Sequence, residues 1–213
     1  RYPNDPRVVE LYAGHLIASG ELDRALALYK LHLADRPPVK SFFQAVIDIE
    51  SYQQHADSMM HYVGRALELF PRDLDLHLAR GNAFIRLKEP EKAIRTYRQS
   101  LRYAETDSLR SVIWGMIGDT WYQMAEEGEN DTAKVKRPRS KSPRKALKAC
   151  YDAYDRSLGY WRDNALVLNN YAYFLSVEGR DLERALEMAT RVMASSEKNL
   201  SLIHISEPTR HSL

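Results

Sequence analysis

Apolar residues recur every three to four positions along most of the chain, in segments that come in pairs and are separated by short polar turns. Four stretches follow this plan: "LYAGHLIASGELDRALALYKLHLADRP", "ARGNAFIRLKEPEKAIRTYRQSL", "MIGDTWYQMAEEG" resumed at "KACYDAYDRSL", and "NNYAYFLSVEGRDLERALEMATRVM". The first segment of a pair ends at a glycine or a charged turn, after which a second segment of the same period begins. The pattern predicts an all-α chain built from antiparallel helix pairs.

Small residues occupy fixed places in these pairs. The first helices carry Ala13, Gly81, Gly118 and Ala172, and the second helices carry Ala25, Ala93, Cys150 and Ala185. Three of the second helices add a tyrosine four residues later, namely Tyr29, Tyr97 and Tyr154. Because two antiparallel helices approach closely only where their side chains are small, we expect these positions to be helix-crossing contacts.

These residues resemble the tetratricopeptide repeat, a unit of about 34 residues with small residues at two crossing points and bulky residues between them. Pro37 and Pro71, which lie one such period apart, mark two unit ends. The third unit matches best, through Gly81, Phe84, Ala93 and Tyr97. The second diverges most, because Ile47 stands where a small residue belongs. The resemblance implies a right-handed α-solenoid of antiparallel helix pairs.

The repeats predict one domain over residues 1–199 with five helix pairs. The expected bounds are 6–38, 39–73, 74–106, 107–163 and 164–197, with a basic loop at 127–142 inside the fourth pair. Asp5-Pro6 and Ser142-Pro143 each place a capping residue before a proline of the first helical turn, so we expect helices to begin there. Residues 200–213 include "LSLIHISEPTR", which resembles translated sequencing-adaptor sequence. We expect a non-native, disordered tail there and a native array that continues further.

Positive charge is concentrated in one segment. Residues 127–148 hold eight Lys or Arg against three Asp or Glu, a local charge of +5, which leaves −3 for the rest of a chain whose total is +2. A solvated loop explains such a run, and the alternative is contact of the basic insert 134–148 with a polyanion, either nucleic acid or an anionic membrane. The residues for that contact are Lys134, Lys136, Arg137, Arg139 and Lys141. No aromatic residues are interleaved among them, so base stacking is not indicated and we do not expect nucleic-acid binding.

The sequence contains no recognisable catalytic constellation: no glycine-rich phosphate loop, no nucleophile elbow and no paired-histidine zinc motif. His55 and His61 are six residues apart, on different faces of a helix, and are interpreted as surface residues. Cys150 falls at a packing position and is predicted to be inert. No apolar run reaches the roughly 20 residues that a membrane-spanning helix needs. We therefore predict no enzyme activity, no cofactor, no metal and no transmembrane segment.

The remaining candidate site is the concave surface that the first helices line in this architecture. By register, the residues that point into it are Gln44, Asp48, Asn82, Arg86, Asp119, Gln123, Asn169 and Tyr173. Amide and charged side chains suit an extended peptide, whose backbone needs hydrogen-bond partners. Family members that hold a C-terminal carboxylate carry Lys and Arg at set places, which here are Glu10, Gln44, Leu78, Gly115 and Asn169. Only Asn82 fits that pattern, so we do not expect a carboxylate clamp.

The sequence thus predicts a non-enzymatic scaffold that binds a protein or peptide in this groove. Two alternatives stay open: polyanion contact through the basic insert, and a regulatory portion of a larger enzyme. We also expect self-association through the last helix, because its Leu182, Leu186 and Val192 side lies exposed without a capping helix. The repeats are similar in sequence to long arrays in bacterial proteins, many of them attached to the cell envelope. Envelope association and a cytoplasmic location both stay open.

Overall fold

The computed structural model describes residues 5–35, 38–130 and 143–198. Within these ranges every regular element is a helix, and the helices follow one another as antiparallel pairs, which confirms the predicted all-α class. The helices belong to two compact units, divided between Tyr103 and Ala104. In the part of the chain that the structure describes, no helix is both long and apolar enough to cross a bilayer.

The first unit contains three helix pairs. Its helices are α1 (Pro6–Ala18), α2 (Leu22–Asp35), α3 (Lys40–Tyr52), α4 (Ala56–Leu69), α5 (Leu74–Arg86) and α6 (Pro90–Ser100), followed by a 3-10 turn at Leu101–Tyr103. Each helix packs on the next one in sequence, and α3 also contacts α5. The first helices of the second and third pairs therefore lie side by side, as the concave face of a repeat array requires.

The second unit contains the four remaining described helices. They are α7 (Asp107–Asn130), α8 (Pro143–Tyr160), α9 (Ala165–Val177) and α10 (Leu182–Lys198). Helix α7 continues to Asn130, so it covers the first residues of the segment 127–142 that the sequence predicts as a loop. The rest of that segment, including Lys134, Lys136, Arg137, Arg139 and Lys141, lies outside the described residues, as does the tail 199–213.

Helix starts follow the predicted capping chemistry. Asp5 caps α1 by accepting a hydrogen bond from the backbone N–H of Arg7 (2.9 Å), with Pro6 in the first turn. Asp73 caps α5 by accepting one from the N–H of Leu76 (3.1 Å). Helix α8 begins at Pro143, as the Ser-Pro pair predicts. Proline is tolerated at these places because the first amides of a helix have no intrahelical acceptor.

The small residues are crossing contacts, and tyrosines occupy the space that they leave. A Cβ atom added at Gly81 would lie 2.1 Å from Cε1 of Tyr97, and one added at Gly118 would lie 2.5 Å from Cε1 of Tyr154. Both tyrosines are buried. Each ring therefore packs on a bare patch of backbone in the partner helix, which confirms the spacing argument from the sequence.

The divergent second pair solves the same packing problem with different residues. Ile47 is buried at the place of Gly81, and Val63 is buried at the place of Tyr97, sixteen residues further along as in the third pair. Both belong to the core of the first unit. A larger residue on the first helix is thus matched by a smaller one on the second. The volume of the crossing is kept, which explains why the pair forms despite its departure from the repeat pattern.

The four short turns within pairs share one backbone motif. Each places a residue in the left-handed region at the same repeat position: Gly20 (φ 77°), Gln54 (φ 61°), Lys88 (φ 57°) and Gly179 (φ 62°). In each, the next amide donates to the carbonyl five residues back, as from Glu21 N to Leu16 O (2.8 Å). This is the Schellman motif, which satisfies carbonyl groups at a helix end and is usually built on glycine.

A buried ion pair ties α2, α3 and α4 together. The Glu50 side chain is 1% exposed and accepts hydrogen bonds from Lys30 Nζ (2.5 Å) and Ser58 Oγ (2.5 Å). Nδ1 of His55 lies 2.9 Å from its other carboxylate oxygen. Burial acts to raise the pKa of Glu50, but these hydrogen bonds and the charge of Lys30 outweigh it and leave that pKa lowered. His55, interpreted from sequence as an ordinary surface residue, therefore also contributes to this buried network.

Candidate functional site

The first unit contains an open groove of about 660 Å³ between the exposed sides of α3 and α5. Its floor is apolar and includes Ile47, Met59 and Ala79. Its walls are polar and include three residues that the sequence assigned to the concave face: Gln44, Asp48 and Asn82. An apolar floor with a small number of polar groups along its walls is typical of binding sites.

The walls of the groove are set by the helical repeat and the 34-residue register together. Residues three and seven positions apart fall on one side of a helix. On α3 and α5 this rule aligns two equivalent sets, Ser41, Gln44 and Asp48 opposite Asp75, Leu78 and Asn82. The two helices run in the same direction, because each is the first of its pair. This register gives three levels of facing side chains: Ser41 opposite Asp75, Gln44 opposite Leu78, and Asp48 opposite Asn82.

Hydrogen bonds within the walls determine which amide atoms face a ligand. Gln44 Nε2 donates to Asp48 Oδ1 (2.9 Å), which leaves the carbonyl oxygen of Gln44 as an acceptor. Asn82 Oδ1 accepts a hydrogen bond from the hydroxyl of Tyr97 (2.6 Å), which leaves the NH₂ group of Asn82 as a donor. The groove thus presents a donor on α5 and acceptors on α3.

Lys40, the only cation among the described residues that line the groove, is already paired. Lys40 Nζ donates to the Asp73 carboxylate at the start of α5. That hydrogen bond and the charge of Asp73, with a smaller contribution from Asp75, raise the pKa of Lys40. At the edge of the groove, Ser41 Oγ donates to the carboxylate of Glu10 (2.5 Å). The groove therefore has a negative electrostatic character, set by Asp48 and Asp75.

The remaining residues predicted for the concave face do not line this groove. Arg86 is exposed on α5, one turn beyond Asn82, and does not line the groove. In the second unit, Gln123 Nε2 donates to Glu127 Oε1 (3.2 Å) along the same helix. Asn169 and Tyr173 are exposed on α9. The structure thus brings together Gln44, Asp48 and Asn82 out of the predicted set.

Asp119, which the sequence assigned to the concave face, is engaged inside the second unit. Its carboxylate accepts hydrogen bonds from the hydroxyl of Tyr154 and from Asn170 Nδ2 (3.1 Å). Burial raises the pKa of Asp119, although both hydrogen bonds act to lower it. Asp119 holds the repeat position of Asn82, and Tyr154 holds that of Tyr97, so the same tyrosine contact recurs. The sequence predicts a site role for Asn169 and none for Asn170, although Asn170 makes this contact.

Ser41 and Asp75 line the groove but were missed from the sequence. The signal was available, because each lies three residues before a position that had been considered, Gln44 and Leu78 respectively. The predicted set covers only two turns of each first helix. One further turn towards the N-terminus includes both residues.

The other side chains considered for chemistry, Cys150, Trp114 and Trp121, are buried and pack in the core. Cys150 is fully buried, and burial raises the pKa of its thiol. A buried thiol without a nearby cation is not activated as a nucleophile. Trp114 and Trp121 are buried, and the guanidinium of Arg156 lies 4.8 Å from the ring of Trp114. Among the described residues, no group of three or more His, Cys, Asp or Glu side chains is placed to hold a metal ion.

Comparison with known proteins relates the fold to several solved structures. No family model and no curated protein matches the sequence. MamA 41-end from Desulfovibrio magneticus RS-1 superposes with a TM-score of 0.63 at 11% identity, over 91% of this chain and 96% of that one. TTC0263, a thermophilic TPR protein in Thermus thermophilus, gives 0.60 at 16% identity over 93% and 95%. YrrB, described as a TPR protein with an unusual peptide-binding site, gives 0.53 at 17% identity over 94% and 91%.

Proposed function

We propose, from the premise that this chain has the tetratricopeptide-repeat fold, that it is a non-enzymatic scaffold and binds an extended peptide segment between α3 and α5. Proteins with this fold typically mediate protein–protein interactions. The solved structure of YrrB is described as having a peptide-binding site, which supports a peptide as the ligand class. The groove in the first unit is the feature of this chain that fits such a ligand.

The observation that carries the proposal is the arrangement of free hydrogen-bonding groups along the groove. An extended peptide presents backbone N–H and C=O groups that need partners once water is removed. The Asn82 NH₂ group can donate to a peptide carbonyl, and the Gln44 carbonyl oxygen can accept from a peptide N–H. The apolar floor then takes the side chains that point inward.

Selection from a displayed library of peptides with blocked ends tests the proposal. We expect enriched peptides to protect amides along the exposed sides of α3 and α5 in hydrogen-exchange experiments. The double substitution Gln44→Ala with Asn82→Ala should reduce capture at least tenfold, because about two hydrogen bonds of roughly 1 kcal/mol each are lost. Protection confined to other helices would contradict the assignment.

Two control variants separate binding from folding. Asn82→Ala also removes the acceptor of the Tyr97 hydroxyl, so Tyr97→Phe serves as the matched change. It breaks the same hydrogen bond and leaves the Asn82 amide in the groove, and capture should persist. Gln99→Ala removes an exposed amide on α6, outside the groove, and should have no effect on capture. Far-UV circular dichroism of each variant reports whether helicity is kept.

A second candidate function is polyanion contact through the basic insert 134–148. Its described part favours this: Arg144, Lys145 and Lys148 are exposed on the first two turns of α8. Binding to a heparin column that is lost at moderate salt, and lost altogether on deletion of residues 134–141, is the expected behaviour. Retention that does not depend on salt would exclude a phosphate or sulfate contact of this kind.

We also propose weak self-association through α10. Leu182 and Leu186 are 59% and 69% exposed, as the sequence predicts, and Met193 is exposed on the same helix. Val192, predicted to share this exposed side, is instead half-buried. Sedimentation velocity should show a concentration-dependent dimer that Leu182→Glu combined with Leu186→Glu removes. An unchanged sedimentation profile in the double variant would place the contact elsewhere.

A further inference from the structure

The charge of the groove bears on the kind of peptide that it selects. Its lining includes Lys40, Asp48 and Asp75 as the charged residues. Lys40 donates to Asp73, a carboxylate at the N-terminus of α5 that does not itself line the groove. An incoming ligand therefore meets one carboxylate on α3 and another on α5, whereas the positive charge of Lys40 is neutralised by Asp73.

A peptide with an acidic side chain or a free C-terminal carboxylate does not suit this arrangement. Such a group needs a cation or several free N–H donors. Of the charged residues described in the lining, only Lys40 could supply one, and its ammonium is taken by Asp73. Like charges across an interface suppress wrong partners, so Asp48 and Asp75 act against acidic ligands.

We infer that the groove between α3 and α5 selects extended peptide segments that carry lysine or arginine side chains, an inference that rests on the proposed peptide binding. The cationic head of such a side chain pairs with Asp48 or Asp75. Its aliphatic stem lies against Leu78 and the apolar floor, since long basic side chains cover apolar surface while their charge stays in water. The amides of Gln44 and Asn82 hold the peptide backbone between the two carboxylates.

The two carboxylates stand at opposite ends of the wall residues. Asp75 faces Ser41 on the first level, and Asp48 faces Asn82 on the third, seven residues along each helix. Two helical turns separate these levels, about 10 Å at 1.5 Å per residue. Alternate side chains of an extended strand lie on one side of the chain at intervals of about 6.6 Å. Basic residues two to four positions apart in the peptide can therefore reach both carboxylates.

Binding of matched peptides, followed by fluorescence anisotropy at low salt, tests the inference. The probes are three labelled peptides with acetylated and amidated ends, in which alanine alternates with lysine, with glutamine or with glutamate. We expect the lysine peptide to bind about tenfold more tightly than the glutamine peptide, and the glutamate peptide to bind least, with the differences reduced by salt.

Charge-neutralising variants locate the effect. Asp48→Asn combined with Asp75→Asn should reduce the affinity for the lysine peptide about tenfold and change that for the glutamine peptide far less. Lys40→Met should increase the affinity for the lysine peptide, because it leaves the Asp73 carboxylate without its cation. Glu68→Gln removes one exposed negative charge from α4, outside the groove, and should leave all three affinities unchanged.

The outcomes separate this inference from the proposed function. If library-selected peptides bind in the groove but lysine and glutamine probes bind equally, the inference is wrong and peptide binding stands. Preference for lysine that survives the Asp48→Asn, Asp75→Asn double substitution also overturns it, because the charge then acts elsewhere. If no peptide protects α3 and α5, the proposed function and the inference both fail.

Discussion

Removing the charge of Lys30 should destabilise the first unit through the buried carboxylate of Glu50. Lys30→Met keeps most of the aliphatic stem and deletes the ammonium that donates to Glu50 Oε1. Breaking a buried pair by removing one partner costs about 3–5 kcal/mol. Ser58 and His55 still contact Glu50, and the Lys30 side chain is 32% exposed, so we expect a smaller loss than this, about 2–3 kcal/mol at neutral pH.

The destabilisation caused by Lys30→Met should depend on pH. The folded-state pKa of Glu50 is lowered from its ordinary value of 4.5, so its ionised form stabilises the fold above that pH. This contribution is lost as the pH falls through the lowered pKa in the native protein. The difference in unfolding free energy between native protein and Lys30→Met should therefore be full at neutral pH and should shrink under acid conditions.

Two optical signals locate the destabilised unit. All three tryptophans, Trp114, Trp121 and Trp161, belong to the second unit, whereas far-UV circular dichroism reports helices of both units. In urea titrations, Lys30→Met should shift the circular dichroism transition to lower urea, with a smaller shift in tryptophan fluorescence. Arg24→Met breaks an exposed pair with Glu21 and should change neither signal. A Lys30→Met shift no larger than that of Arg24→Met, at any pH, would refute the reasoning.

Three further substitutions test other parts of the fold. Gly81→Ala should cost about 1–3 kcal/mol because its Cβ would meet Tyr97, and combining it with Tyr97→Val should restore part of the loss in urea titrations. Gln54→Gly should raise the melting temperature through relief of about 1–2 kcal/mol of left-handed strain, less the added entropy of glycine in the unfolded chain. A lower melting temperature would mean that the Gln54 side chain stabilises the turn. Asp119→Asn should stabilise the second unit at neutral pH, because burial raises the pKa of Asp119, and the gain should disappear below its ordinary value of 3.8. Tryptophan fluorescence should follow that change, and a gain that persists in acid would exclude ionisation as its cause.

The helix pairs could be predicted from the sequence because the contacts that define them are periodic. Gly81 packs against Tyr97, and Gly118 packs against Tyr154. Each contact requires a glycine on one helix and a tyrosine on the other, so the spacing can be recognised in the sequence without a structure. The second pair was harder to recognise, because Ile47 and Val63 compensate each other. Neither residue alone fits the repeat pattern. Only the combined volume of the two side chains matches that of the other crossings.

The turns and the groove could be predicted only in part. Glycine marks the left-handed position at Gly20 and Gly179, but Gln54 and Lys88 adopt it because hydrogen bonds at the helix end impose it. For the groove, register identified Gln44, Asp48 and Asn82, which the structure places among its lining residues on α3 and α5. It could not show that Asp119 would be engaged by Tyr154 and Asn170, since that depends on three helices meeting.

The contacts of Tyr97 and those of Lys40 differ in which repeats they join. Tyr97 packs on Gly81 and donates to Asn82 within one helix pair, so that pair could be transplanted as a cassette with its interior intact. The Lys40 ion pair with Asp73 and the Ser41 hydrogen bond to Glu10 span neighbouring pairs. The groove therefore belongs to the junction of two repeats and to neither repeat alone. Shuffling such cassettes would keep their crossings and create a new ligand preference at every junction.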